Sequence, residues 1–202
     1  ITIGVAVATQ ALSITASVTG TEEMTLRALA AGPSAALNVN IKAQAMLSIT
    51  SFTNRTGNRT YIAGQTFVVR VSLNNSATSA KALTVTASLS GLVAGVTANS
   101  SASKTISGTG NIDFLITITA GTASQALSLT ASASGSEEIT SRALSAGPSA
   151  ALNINIKAQA ALSITSFTNR TGNCTYIAGQ AFTVRVALNN PATSAKALAV
   201  TA

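Results

Sequence analysis

Histidine and tryptophan are absent from the 202 residues, cysteine occurs once, and only 8% of residues are charged. Each shortage excludes a class of chemistry. Without histidine there is no His-based triad and no imidazole general base. A single Cys174 supports neither an internal disulfide framework nor a zinc site. The five acids are Glu22, Glu23, Asp113, Glu137 and Glu138. Calcium wants six or more oxygens, several from carboxylates, and this acid supply is too thin. The two Glu-Glu pairs are adjacent in sequence, and neighbours on a strand point to opposite faces, so they form no acid–base couple. Gly108-Thr109-Gly110 is a turn signal without the surroundings of a phosphate loop. The expectation is a non-catalytic chain with no cofactor and no metal.

Aromatics amount to 3%, which leaves little to stack on bases or sugars. The net charge is +7, but the basic residues are scattered singly (Arg27, Lys42, Arg55, Arg59, Arg70, Lys81, Lys104). Nucleic-acid binding needs a clustered basic surface with stacking platforms, and the sequence offers neither. No apolar run is long enough to span a bilayer as a helix. Cys174 stands where another part of the chain has Arg59, and reads as a free thiol in a turn or as an interchain disulfide.

What is present is repetition. Residues 11–87 match residues 126–202 at 62 of 77 positions, an offset of 115. Long-period self-similarity marks an array of like units. The period predicts three pieces: 1–44, the last part of one unit; 45–159, a complete unit; and 160–202, the first part of the next. Both ends cut through apolar runs, which predicts a window on a longer polypeptide.

Within 45–159 the hydrophobic period is two, the signature of strands with one buried face. Seven strands are expected, around 47–50, 67–73, 83–89, 103–106, 112–118, 127–133 and 152–156. Turn residues such as Asn54–Asn58, Ser90-Gly91 and Gly147-Pro148 separate them. Seven short strands of this kind call for two packed antiparallel sheets. Alanine at inward positions predicts a core that is thin in places, so contacts between units should matter, as in repeat arrays.

The joins carry a second pattern. Ile41, Ala43, Ala45 and Leu47 keep one parity, as do Ile156, Ala158, Ala160 and Leu162, with no Gly or Pro between. Residues 38–50 and 153–165 therefore read as junction strands running from one unit into the next, which predicts a stiff joint. Asn-x-Ser/Thr sequons stand at Asn54, Asn58, Asn74, Asn99, Asn169 and Asn173, in expected turns, and are candidate N-glycosylation sites.

The run Phe67-Val68-Val69-Arg70-Val71-Ser72-Leu73-Asn74-Asn75, followed by 80–89 and by Asp113–Ile118, resembles the CARDB group of bacterial and archaeal immunoglobulin-like modules. The resemblance implies tandem seven-stranded immunoglobulin-like β-sandwiches at the cell surface. The function expected is that of a structural component of an extracellular filament, stalk or surface layer. Its partners would be copies of the same repeat, together with glycans. A repetitive adhesin or carbohydrate-binding spacer is the alternative, with Tyr61 and Tyr176 as its candidate platforms.

Overall fold

A computed structural model describes residues 1–100, 102–172 and 174–201. Every regular element among them is a strand. In 1–44 these are β1 (Gln10–Ile14), β2 (Val18–Thr21), β3 (Ala28–Ala31) and β4 (Leu37–Ile41). The central unit holds β5 (Ser48–Asn54), β6 (Thr60–Ile62), β7 (Thr66–Asn75), β8 (Ala82–Ser90), β9 (Val96–Ser100), β10 (Lys104–Ile106), β11 (Gly108–Ile118), β12 (Gln125–Glu137), β13 (Ala143–Ala146) and β14 (Leu152–Lys157). After it come β15 (Ser163–Asn169) and β16 (Val184–Asn189).

Two sheets face each other in the central unit. One has the order β5-β7-β11-β9; the other runs β10-β8-β12-β14-β6, with β13 also on β12. Alternation puts Phe67, Val69, Val71 and Leu73 of β7 inward, against Leu127, Leu129 and Ala131 of β12 and Ile154 of β14, all at most 1% exposed. The unit thus has ten strand segments where seven were expected; β6, β9 and β13 are the additions. Each is short, and β6 and β9 lie at sheet edges, where periodicity is weakest. β6 pairs with β14 in parallel, against the antiparallel expectation.

Two bulges shift the inward face. In β5 the register slips between Ile49 and Ser51, so Phe52 rather than Ser51 packs on the core. In β8, Thr84 takes φ 47° and the pairing with β12 slips opposite it. Ala82, not Leu83, is therefore the fully buried residue there.

Pairings recur at the 115-residue offset. Gln10↔Ile41 and Ile14↔Leu37 in β1–β4 correspond to Gln125↔Ile156 and Leu129↔Leu152 in β12–β14. Val18↔Ala31 corresponds to Ala133↔Ala146. β15–β16 repeats the β5–β7 pairing, with the same slip between Ile164 and Ser166.

Candidate functional site: the inter-unit joint

The expected junction strands are interrupted. β4 ends at Ile41 and β5 begins at Ser48; β14 ends at Lys157 and β15 begins at Ser163. The interruption has a topological cause. β14 belongs to the six-stranded sheet, whereas β5, like its counterpart β15, belongs to the other pairing, so the chain changes sheets as it changes units. The parity survives the change on the N-terminal side. Ile41, Ala45 and Leu47 are buried and Ala43 half-buried, while Lys42, Gln44 and Met46 face out. On the other side Ile156 is buried and Ala158 half-buried, but Ala160 and Leu162 are exposed. Among the described residues after Lys157 the strands are β15 and β16, and neither corresponds to β12 or β14.

Hydrogen bonds hold the crossing segment. Ala43 makes a parallel bridge to Ser79 of the central unit, with Ala80 N–H donating to Ala43 O at 2.8 Å. Ala43 N–H donates to Thr9 Oγ1 at 2.9 Å, and the Thr9 hydroxyl donates onward to Thr78 O. One threonine thus ties its own unit to the next. At the second joint Ala158 bridges Ser194, and Ala195 N–H donates to Ala158 O at 2.8 Å. Ala158 N–H donates to Ser124 Oγ at 2.8 Å, and Ser124 donates to Thr193 O. Every atom pair recurs at the same offset, with serine in place of threonine.

Deeper in the unit a buried carboxylate seizes the incoming backbone. Glu137, 2% exposed, accepts Ala45 N–H at 2.6 Å through Oε1 and is paired with Arg142 at 3.0 Å. Arg142 Nη2 donates to Ala45 O at 2.8 Å, so both backbone groups of Ala45 are taken. The Arg142 guanidinium, helped by the Thr140 hydroxyl and Ala45 N–H, lowers the Glu137 carboxyl to about 2 against the desolvation that raises it. Its neighbour Glu138 lies just past the end of β12 and takes other partners. It accepts Lys81 N–H at 3.1 Å and pairs with Lys42 of the preceding unit at 3.2 Å. Those two contacts, the backbone bond first, hold its carboxyl below the usual range.

Sequence reasoning missed Asn75. Fully buried, it accepts Met46 N–H at 2.9 Å and donates to Ala80 O at 2.9 Å and Ile106 O at 3.2 Å. Asn190 repeats this toward Ala161 N–H at 3.0 Å and Ala195 O at 2.8 Å. The signal available was an asparagine identical in both copies at the end of an alternating strand.

The sequons fall in unlike places. Asn54 and Asn169 close β5 and β15, Asn58 lies in the exposed loop before β6, Asn74 is half-buried within β7, and Asn99 is exposed in β9. Thus Asn74 and Asn99 sit in strands rather than in turns. Asn173 lies outside the described residues. Tyr61 is no sugar platform, because its ring is 4% exposed and stacked on Phe67 at 4.2 Å. Tyr176, half-buried, stacks on Phe182 at 4.7 Å. Cys174 is exposed with a free thiol. No helix among the described residues is long and apolar enough to cross a membrane.

Neither a family model nor a curated protein matches the chain. Among solved structures, domains 4 and 5 of the S-layer protein SbsC are similar, with 11% identity and a TM-score of 0.32. That similarity covers 72% of this chain, which spans 66% of the length of that structure.

Proposed function

We propose that this chain is part of a non-catalytic, extracellular structural protein in which immunoglobulin-like sandwiches of the CARDB kind follow one another at fixed angles. It would build a filament, stalk or surface layer at the cell surface, with copies of the same repeat as its partners. One observation carries the reading: the same bridge and the same hydroxyl relay occur at both joints. A joint whose bridge and relay recur repeats one rotation and one translation, and repetition of a single operation yields a regular linear or helical array. For a carbohydrate-binding spacer, the Tyr61 ring is packed inside the unit and Tyr176 is stacked on Phe182, which favours the structural reading.

Electron microscopy of the native material with linear or helical averaging tests the proposal. Uniform filaments with an axial repeat of one or a few units are expected. Flexible strings or separate globules would overturn it.

A further inference from the structure

Two sequons stand four residues apart, Asn54 at the end of β5 and Asn58 in the loop before β6, and the structure treats them oppositely. The Asn54 side chain is saturated. Its Nδ2 donates to Asn58 O at 2.5 Å and to Tyr61 Oη at 2.8 Å. Its Oδ1 accepts Thr56 N–H at 3.0 Å and the Thr56 hydroxyl at 2.6 Å. The amide offers two donors and one acceptor oxygen with two lone pairs, and all are engaged. Tyr61 cannot move aside, because its ring is 4% exposed and stacked on Phe67. Its contacts with tyrosine and threonine recur in the other copy, where Asn169 Nδ2 donates to Tyr176 Oη at 2.6 Å and Oδ1 accepts Thr171 N–H at 3.0 Å.

A sugar on Nδ2 replaces one of the two amide hydrogens and places a pyranose ring where its acceptor now lies. At Asn54 that expels either the loop carbonyl or the tyrosine hydroxyl. Asn58 is exposed in the loop, and among the described residues only its carbonyl, not its side-chain amide, is hydrogen-bonded. Asn74 is half-buried in the middle strand of a pairing, between Ser48 and Thr109. Asn99 is held extended against Leu115.

We infer that Asn58 is the glycan-bearing asparagine of the unit and that Asn54 is a structural residue that happens to spell a sequon. The inference rests on the cell-surface reading. The donor would be a polyprenyl-phosphate-linked oligosaccharide. The Asn58 Nδ2–C1 bond forms as the C1–O bond to phosphate breaks; the amide proton goes to a base of the transferase, and the lipid phosphate departs with the electron pair.

Trypsin separates the two sites. Cleavage after Lys42, Arg55 and Arg59 puts Asn54 in peptide 43–55 and Asn58 in peptide 56–59. Mass spectrometry of native material should find glycan on 56–59 and an unmodified 43–55. Glycan on 43–55, or none on 56–59, overturns the assignment, whereas the filament reading is decided separately by microscopy. As a second readout, Asn58→Gln should remove the glycan and leave unfolding of the deglycosylated chain unchanged. Asn54→Gln should lower the melting temperature and leave the glycan in place. The reverse pattern overturns the assignment as well.

Discussion

Glu137→Gln isolates the charge that clamps Ala45. Glutamine keeps an oxygen for Ala45 N–H but cannot form the ion pair with Arg142. Lowering a carboxyl from 4.5 to about 2 corresponds, at 1.36 kcal/mol per tenfold change in proton affinity, to about 3 kcal/mol of stability at neutral pH. Glu137 is 2% exposed but its partner Arg142 is 42% exposed, so solvent screens part of the pair and about 3 kcal/mol is an upper bound. A folded-state value below the unfolded one gives stability that is complete above about pH 4.5 and is lost as pH falls toward 2. At roughly 2–4 °C per kcal/mol for a chain of this size, the variant should melt lower at pH 7 by at most about 6–12 °C. The two proteins should converge near pH 2, where wild-type Glu137 is itself protonating. Asp113, held low chiefly by its hydrogen bonds to Arg70, and Glu138 leave some acid dependence in both. Thermal melts followed by circular dichroism from pH 7 to 2 give the comparison. Melting curves that stay parallel across that range would refute the clamp.

Other positions test separate parts of the same description. Asn75→Ala strands Met46 N–H and two buried carbonyls; the expected loss is about 3–5 kcal/mol, read as a fall in the urea midpoint, and a loss below about 1 kcal/mol would contradict it. Gly91→Ala puts a Cβ 1.9 Å from Ser128 O at φ +88°, so the backbone must shift; a cost on the order of 3 kcal/mol is expected in the same titration. Ser124→Ala removes the relay between Ala158 and Thr193, at about 1 kcal/mol of global stability. Its effect should instead be a broader distribution of inter-unit angles in single-particle images, and an unchanged distribution would show that the hydroxyl does not hold the joint.

How far the sequence was legible follows from what alternation can encode. β7, β11, β12 and β14 bury one apolar face against the other sheet, and period two finds them. β6 and β13 are three and four residues long, too short for a period to register, and they are strands because their neighbours need backbone partners. Bulges defeat parity in a different way. Leu83 looks inward by alternation, but φ 47° at Thr84 turns the chain half a period, and no side chain announces that. At the joints, parity was read as strand continuity, whereas it reports only which side of an extended segment is covered. The acids form no catalytic or metal-ligating pattern in the sequence. Glu22 and Glu137 pair with arginines five residues on and Asp113 with Arg70, 43 residues back, but the contact of Glu137 with Ala45 spans 92 residues, and no local pattern carries that one.

That distance explains how the six-residue crossing from β4 to β5 can be stiff on the proposed reading without being a strand. From 42 to 46 the segment is gripped at nearly every residue. Lys42 reaches Glu138, Ala43 uses both backbone groups, Ala45 uses both, and Met46 N–H meets Asn75. A flexible linker keeps its φ and ψ free because water satisfies its backbone; here the protein satisfies it, and rotation at any one residue breaks a bond at its neighbour. The grips come from β7, from the segment 78–80 and from the loop after β12, elements that pack into one core. Orientation of the incoming segment is therefore set by the fold of the unit it enters. Thr9 and Ser124 add the complementary tie from the unit being left. Stiffness of this kind uses two ion pairs, Lys42–Glu138 and Arg142–Glu137, and no aromatic anchor, so it is compatible with a chain that has few charges and few aromatics.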